Sequence, residues 1–176
     1  MQTVRGILDG EEYDVAVSRC LAGVHSIGRN VHDRAGRHVD FLTGYGFSNV
    51  LLASLLSAVN AKTFIISANA GPSQIAGEQC SPYFFSTSWQ GDQAAQATGE
   101  YLNQKGVKTL FLIDPNYAAG KDVAAGVKAN FKGEVIGDEY TPWPSQLDFS
   151  AELTKARAAR PEAIFAFFPA RPAFNS

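Results

Sequence analysis

The 176-residue chain predicts an α/β fold with doubly wound parallel sheets. From His38 onward, short apolar runs rich in β-formers alternate with longer segments of helical period. Runs such as Thr109-Leu-Phe-Leu-Ile113 are apolar on both faces, which suits a parallel strand covered by helices on each side. Element ends carry the expected punctuation: Gly106 and Gly133 stand where C′ glycines end helices, and Ser48 and Ser150 where N-caps begin them.

Taken in order, the strand candidates are Val39–Thr43, Thr63–Ser67, Tyr83–Ser86, Thr109–Ile113, Glu134–Tyr140 and Ala163–Phe168. Helices are expected over Asn49–Asn60, Asp92–Gln104, Lys121–Lys132 and Ser150–Ala159. In the first, Leu51, Leu52, Leu55, Leu56 and Val59 form an apolar stripe; Val123, Val127 and Phe131 do so in the third. Before His38 the pattern changes. Asp9–Cys20 suits a short helix or a strand pair, and Gly23–Arg37 has no apolar period.

Hydrophobic content of 45%, charge of 18% and a net charge of −2 describe a globular protein without general attraction to nucleic acid or anionic membrane. Four arginines and all three histidines fall between Arg19 and His38, without the interleaved aromatics of a nucleic-acid site. No window approaches the ~18 apolar residues of a membrane span. The first twelve residues lack an apolar h-region, so the sequence as it stands predicts no signal peptide. Cys20 and Cys80 can pair or remain free, and the spacing decides neither.

The most informative stretch is Val39-Asp-Phe-Leu-Thr-Gly-Tyr-Gly-Phe-Ser-Asn49: a buried strand, a glycine turn, and a helix opening at a serine. Such a turn presents backbone N–H groups and the positive end of a helix dipole to an anion, most simply a carboxylate. A second small-residue turn, Ser67-Ala-Asn-Ala-Gly-Pro-Ser73, follows the next strand. Two loops opening at the carboxyl ends of neighbouring parallel strands favour a ligand crevice, by the switch-point rule.

Other chemistries fit poorly. Gly44-Tyr-Gly-Phe-Ser-Asn49 begins like a dinucleotide fingerprint, but its third glycine is Asn49 and no acid ends the second strand. Ser48 lacks a hydrolase elbow, and no histidine lies downstream of His38. His25, His32 and His38 are spaced for no single helix face, so no metal site is expected. Neither a catalytic constellation nor a cofactor is predicted.

Several segments resemble, in order, the branched-chain amino acid binding proteins of ABC importers. They are Val39-Asp-Phe-Leu-Thr-Gly with Phe47-Ser-Asn-Val-Leu-Leu-Ala53, Ile65-Ile-Ser-Ala-Asn-Ala-Gly-Pro-Ser73, Phe84-Phe-Ser-Thr-Ser-Trp-Gln90, Pro115-Asn-Tyr-Ala-Ala-Gly-Lys-Asp122 and Leu147-Asp-Phe-Ser-Ala-Glu-Leu153. The resemblance covers about His38 to Ala170 and implies a type I periplasmic binding fold, in which two doubly wound lobes close on a small ligand. It implies a periplasmic, non-enzymatic solute-binding component that works with a membrane permease and does not insert in the membrane. The same fold also serves as a ligand-sensing domain in receptors and regulators. Ser48 matches the serine that holds the ligand carboxylate. Asn69, Ala70 and Gly71 match the second ligand loop, with a glycine where a threonine is expected. Trp89 falls at the crossing between lobes, lining the pocket or packing at the hinge, and Tyr117 would be the opposite jaw. Trp143 is expected to be a core or surface anchor rather than a ligand contact. The Ser-Ala-Asn-Ala-Gly-Pro-Ser segment is similar to the branch binding aromatic acids as well as aliphatic amino acids.

The resemblance implies an incomplete two-lobe fold: an atypical segment 1–37, part of lobe one at 38–88 and part of lobe two at 89–176. An isolated piece of that kind is expected to bind ligand weakly, because one helix dipole gives about 0.3–2 kcal/mol and micromolar affinity needs about 8.

Overall fold

Alternating apolar strands and amphipathic helices must bury their faces against one another, and they do so in two separate cores. The computed structural model describes residues 2–8, 11–17, 39–143 and 145–169. One compact unit runs to Gln90 and the other begins at Gly91.

The first unit holds a five-stranded sheet in the order β1-β2-β3-β4-β5. Strands β1 (Gln2–Leu8) and β2 (Glu11–Val17) pair antiparallel. The sequence placed a possible strand pair later, over Asp9–Cys20; residues 18–38 and their histidines lie outside the described residues. Strands β3 (Phe41–Thr43), β4 (Phe64–Ser67) and β5 (Phe84–Ser86) continue the sheet in parallel. Helix α1 (Ser48–Asn60) crosses from β3 to β4 and buries Leu51 and Leu55 against Val39, Leu42 and Ile65. The stripe is narrower than predicted: Leu56 is 70% exposed. Phe64 fills the sheet's other face, stacking on Phe41 with ring centroids 5.7 Å apart and touching Tyr83 and Phe85.

The second unit opens with α2 (Gln93–Gln104), followed by β6 (Thr109–Pro115), α3 (Ala118–Asn130), β7 (Glu134–Thr141), α4 (Ser150–Ala159) and β8 (Ala163–Ala166). Its sheet has the order β7-β6-β8, all parallel. Chain direction across the sheet therefore reverses at β6, the defining step of a doubly wound sheet. Leu110 and Leu112 face Val123 and Val127 of α3, whereas Phe111 and Ile113 face Ala156 of α4, so each face of β6 is covered by a helix. Helices α2 and α3 meet through glycines. A Cβ at Gly99 would strike the Val127 carbonyl oxygen, and one at Gly126 the Asp92 carbonyl oxygen.

Two predicted boundary roles change. Gly106 follows α2 with φ +77°, as a C′ glycine should. Gly133 is not a C′ glycine: α3 ends at an extended Phe131, and the glycine is required because a side chain would collide with the Phe131 ring and the Lys108 carbonyl. Ser150 is the first residue of α4 rather than its cap; Asp148 Oδ1 accepts from the Ser150 backbone N–H at 2.9 Å.

Candidate functional site

Strands β3 and β4 are neighbours in parallel register, Leu42 opposite Ile65 and Thr43 opposite Ile66, so the turns leaving their carboxyl ends must emerge side by side. Gly44, at φ +87°, supplies a left-handed conformation that lets the chain leave β3 and enter α1 within four residues. Phe47 is extended at φ −127° and ψ 134°, and its carbonyl accepts from the Val50 and Leu51 N–H groups at 3.2 Å each. Phe47 is therefore the N-cap. The prediction that Ser48 caps the helix is corrected: Ser48 is the first helical residue, 5% exposed, and no side chain caps α1. Helix geometry still leaves the Ser48 and Asn49 N–H groups of the first turn without intrahelical carbonyls.

The two turns are joined directly. The Asn69 side-chain amide donates to the Gly46 carbonyl at 3.0 Å, and the Ala70 N–H donates to the Tyr45 carbonyl at 3.1 Å. Ser67 Oγ donates to the Ala70 carbonyl at 2.5 Å, which closes the second turn on itself. The structure thus brings Ser48, Asn69, Ala70 and Gly71 onto one edge of one sheet. Two of them spend donors on holding the loops together, and Ala70 is buried.

Gly71 has a packing reason of its own. A Cβ there would overlap the Trp89 carbonyl oxygen and lie 3.3 Å from the Trp89 carbonyl carbon. A threonine, the residue expected from the resemblance, does not fit this backbone. Trp89 itself belongs to the first unit, its side chain 66% exposed. A groove of about 440 Å³ beside α1, lined by Leu52, Leu56, Val59 and Cys80 among others, contains none of the predicted site residues. Cys80 is free and exposed.

Sequence reasoning missed Tyr45. Its ring is 2% exposed within the first core and its hydroxyl lies 3.1 Å from Ser54 Oγ on α1, so it pins the glycine turn to the helix. Burial pushes the phenol pKa upward, with the Ser54 hydroxyl acting against that rise. An aromatic between two glycines in a turn was the available signal.

On the second unit, Tyr117 is the extended N-cap of α3 and stacks on Trp143, ring centroids 5.3 Å apart at 20°. Burial raises its pKa to about 12. It stands just beyond the carboxyl end of β6, where the strand order reverses. This corrects the argument from sequence. Among the described residues the order in the first unit is sequential, so the reversal belongs to the turn bearing Tyr117 and not to the turns around Ser48 and Asn69. Beside Tyr117, and also missed, is Asp114, fully buried with neither carboxylate oxygen hydrogen-bonded. Its pKa is raised to about 7, by burial first and the Asp138 charge second, with Lys128 opposing. Among the described residues no group of three acidic, histidine or cysteine side chains is placed to hold a metal. No helix among them is long and apolar enough to cross a membrane.

The sequence profile of the periplasmic binding proteins matches residues 33–176. The chain belongs to the periplasmic binding protein family. Among curated relatives, the chain is 27% identical over 137 residues to a Leu/Ile/Val-binding protein homolog of Brucella abortus, covering 76% of this chain and 34% of that one. Among solved structures, it resembles a Rhodopseudomonas palustris ABC-transporter solute-binding protein in complex with benzoate, at 32% identity and TM-score 0.69, over 74% of this chain and 37% of that one. A solute-binding protein from R. palustris BisB5 in complex with 3,4-dihydroxybenzoic acid gives 31% identity and TM-score 0.67, over 75% and 36%. This family member spans about a third of the length of the curated relatives it matches.

Proposed function

We propose that this periplasmic binding protein chain serves as part of the solute-binding component of an ABC importer, holding a small carboxylate for delivery to a membrane permease, in the periplasm and without catalysis. The observation that carries the reading is the hydrogen-bonded pair of strand-end turns, Asn69 to Gly46 and Ala70 to Tyr45, beside the N-terminus of α1. First-turn N–H groups and the positive end of the helix dipole suit an anion. Ser48 is the proposed hydroxyl contact, with Asn69, Ala70 and Gly71 as the second turn; Trp89 and Tyr117 are further proposed contacts, resting on the resemblance.

The ligand class follows from what the turns contain. Residues 44–48 and 68–73 carry no acidic side chain, and Gly71 has no room for a hydroxyl-bearing one. These turns offer donors for a carboxylate and no ionic partner for an ammonium. That favours an aromatic acid over a branched-chain amino acid, in keeping with the benzoate and dihydroxybenzoate bound by the two R. palustris proteins.

Amide chemical-shift titration of the chain with benzoate, benzamide and leucine tests this. Benzoate should move the Ser48, Asn49 and Gly71 amides saturably in the millimolar range, which corresponds to about 4 kcal/mol. Equal shifts with neutral benzamide, or no shifts at the start of α1, would refute the anion site.

A further inference from the structure

We propose that Asp114 is a proton-operated latch on the turn that carries Tyr117: neutral, it lets the end of β6 pack shut beneath α3, and ionised, it forces that turn open. The inference concerns the second unit alone and holds whichever ligand the protein takes.

The placement leaves little choice. Side chains alternate along β6, so Asp114 shares the face of Leu110 and Leu112, the face covered by α3. It is 0% exposed, and neither Oδ1 nor Oδ2 has a hydrogen-bond partner. A carboxylate in that position is strongly disfavoured, whereas the neutral acid is tolerable. Strands β7 and β8 flank β6 and Asp114 is its penultimate residue, so the strand-end turn is the part of the backbone next to the carboxyl group that is not locked into the sheet. Besides the Tyr117–Trp143 stack, that turn is held by a few hydrogen bonds and one close packing contact. The Asn116 N–H donates to the Thr141 carbonyl at 2.8 Å, Thr141 Oγ1 donates to the Asp114 carbonyl at 3.4 Å, and Gly120 of α3 packs against the Pro115 carbonyl. Hydrating an ionised Asp114 competes with these contacts, and Tyr117 follows the turn.

The surrounding charges set where the latch operates. From β7, Asp138 raises the proton affinity of Asp114, and Tyr140 stands opposite it in the strand register. From α3, Lys128 lowers that affinity and is ion-paired with Asp138; the same helix carries exposed Lys121 and buried Asp122. The β8 residues paired with β6 are Ala163, Ile164, Phe165 and Ala166, none of them titratable.

The test is ligand-free, on the full chain, so its failure is distinct from failure of the carboxylate reading. Aspartate carboxyl carbons are followed by NMR from pH 4 to 9, alongside hydrogen exchange at the Asn116 and Tyr117 amides. One carboxyl should titrate near pH 7, and exchange at those two amides should rise about tenfold beyond the intrinsic hydroxide dependence across the same interval. Asp114→Asn should abolish both signals. Two milder variants, which leave the buried position itself untouched, carry the same question. Asp138→Asn should move the midpoint to lower pH and Lys128→Met to higher pH. All carboxyls titrating in the ordinary range, an Asn116 exchange profile unchanged in Asp114→Asn, or midpoint shifts of the same sign in the two flanking variants would overturn the proposal.

Discussion

Gly71→Thr restores the residue type expected at this position from the family resemblance and sets it against the backbone found here. The introduced Cβ would overlap the Trp89 carbonyl oxygen, with the Trp89 carbonyl carbon and Gln90 Cα already at 3.3 and 3.4 Å. All three obstacles are main-chain atoms, so no rotamer change relieves the overlap. Restoring ordinary contact requires the two segments to part by about 1 Å, against the Thr87 N–H bond to the Ser67 carbonyl at 3.0 Å. Overpacking of this kind costs about 1–3 kcal/mol, and a unit of this size loses roughly 4–8 °C in Tm per kcal/mol. The chain has two tryptophans, one in each unit, so a Trp143→Phe background leaves Trp89 fluorescence to report the first unit alone. In that background Gly71→Thr and Gly71→Ala should lower the Trp89 transition by similar amounts, because the Cβ alone creates the overlap. If alanine melts like the parent and only threonine is destabilised, the close approach of the 89–90 backbone is refuted and Gly71 regains the simple role of an open ligand loop.

Leu51→Ala, at a side chain with no exposure, should cost about 2–5 kcal/mol in urea unfolding of the first unit. Ser48→Ala should change stability by less than about 0.5 kcal/mol, since Ser48 does not cap α1, while weakening the benzoate-induced shifts at Asn49; a larger loss would mean the hydroxyl is structural. In an alkaline absorbance titration the Tyr117 phenol should ionise near 12, and Tyr117→Phe should remove that last step. For Asp114 the folded pKa of about 7 lies above the ordinary 3.8, so its contribution to stability is full below the lower value and is lost as pH rises to the higher one. Asp114→Asn should flatten that decline, which linkage bounds at about 4 kcal/mol.

The fold class was legible because it depends on local patterning. Leu110–Ile113 is apolar at every position, as suits a strand covered on both faces; α4 has the predicted bounds, Ser150–Ala159, because a dense run of helix formers follows a polar start. Caps were read one residue late at Ser48 and Ser150. A serine at either position satisfies the pattern, but the deciding quantity is the backbone angle of the residue before it, and at Phe47 that angle is extended. Gly71 was read as part of a small-residue ligand turn, with a glycine where a threonine is expected, whereas the Trp89 carbonyl, eighteen positions along the chain, fills the volume a side chain would need. Strand order was the deeper omission. Periodicity identifies β6, β7 and β8 as strands but is silent on which side of β6 each lies. The switch-point argument was therefore attached to the Ser48 and Asn69 turns, whereas among the described residues the reversal lies at β6. Asp114 shows the consequence. In sequence it is an acid after an apolar strand, which reads as the first polar residue of a loop. Pairing with β7, in register opposite Tyr140, carries the strand through Pro115 and seals the acid inside the sheet beneath α3. A residue that looks like loop surface becomes the most perturbed carboxyl described in the second unit, because the pairing register extends the strand two residues past its apolar run.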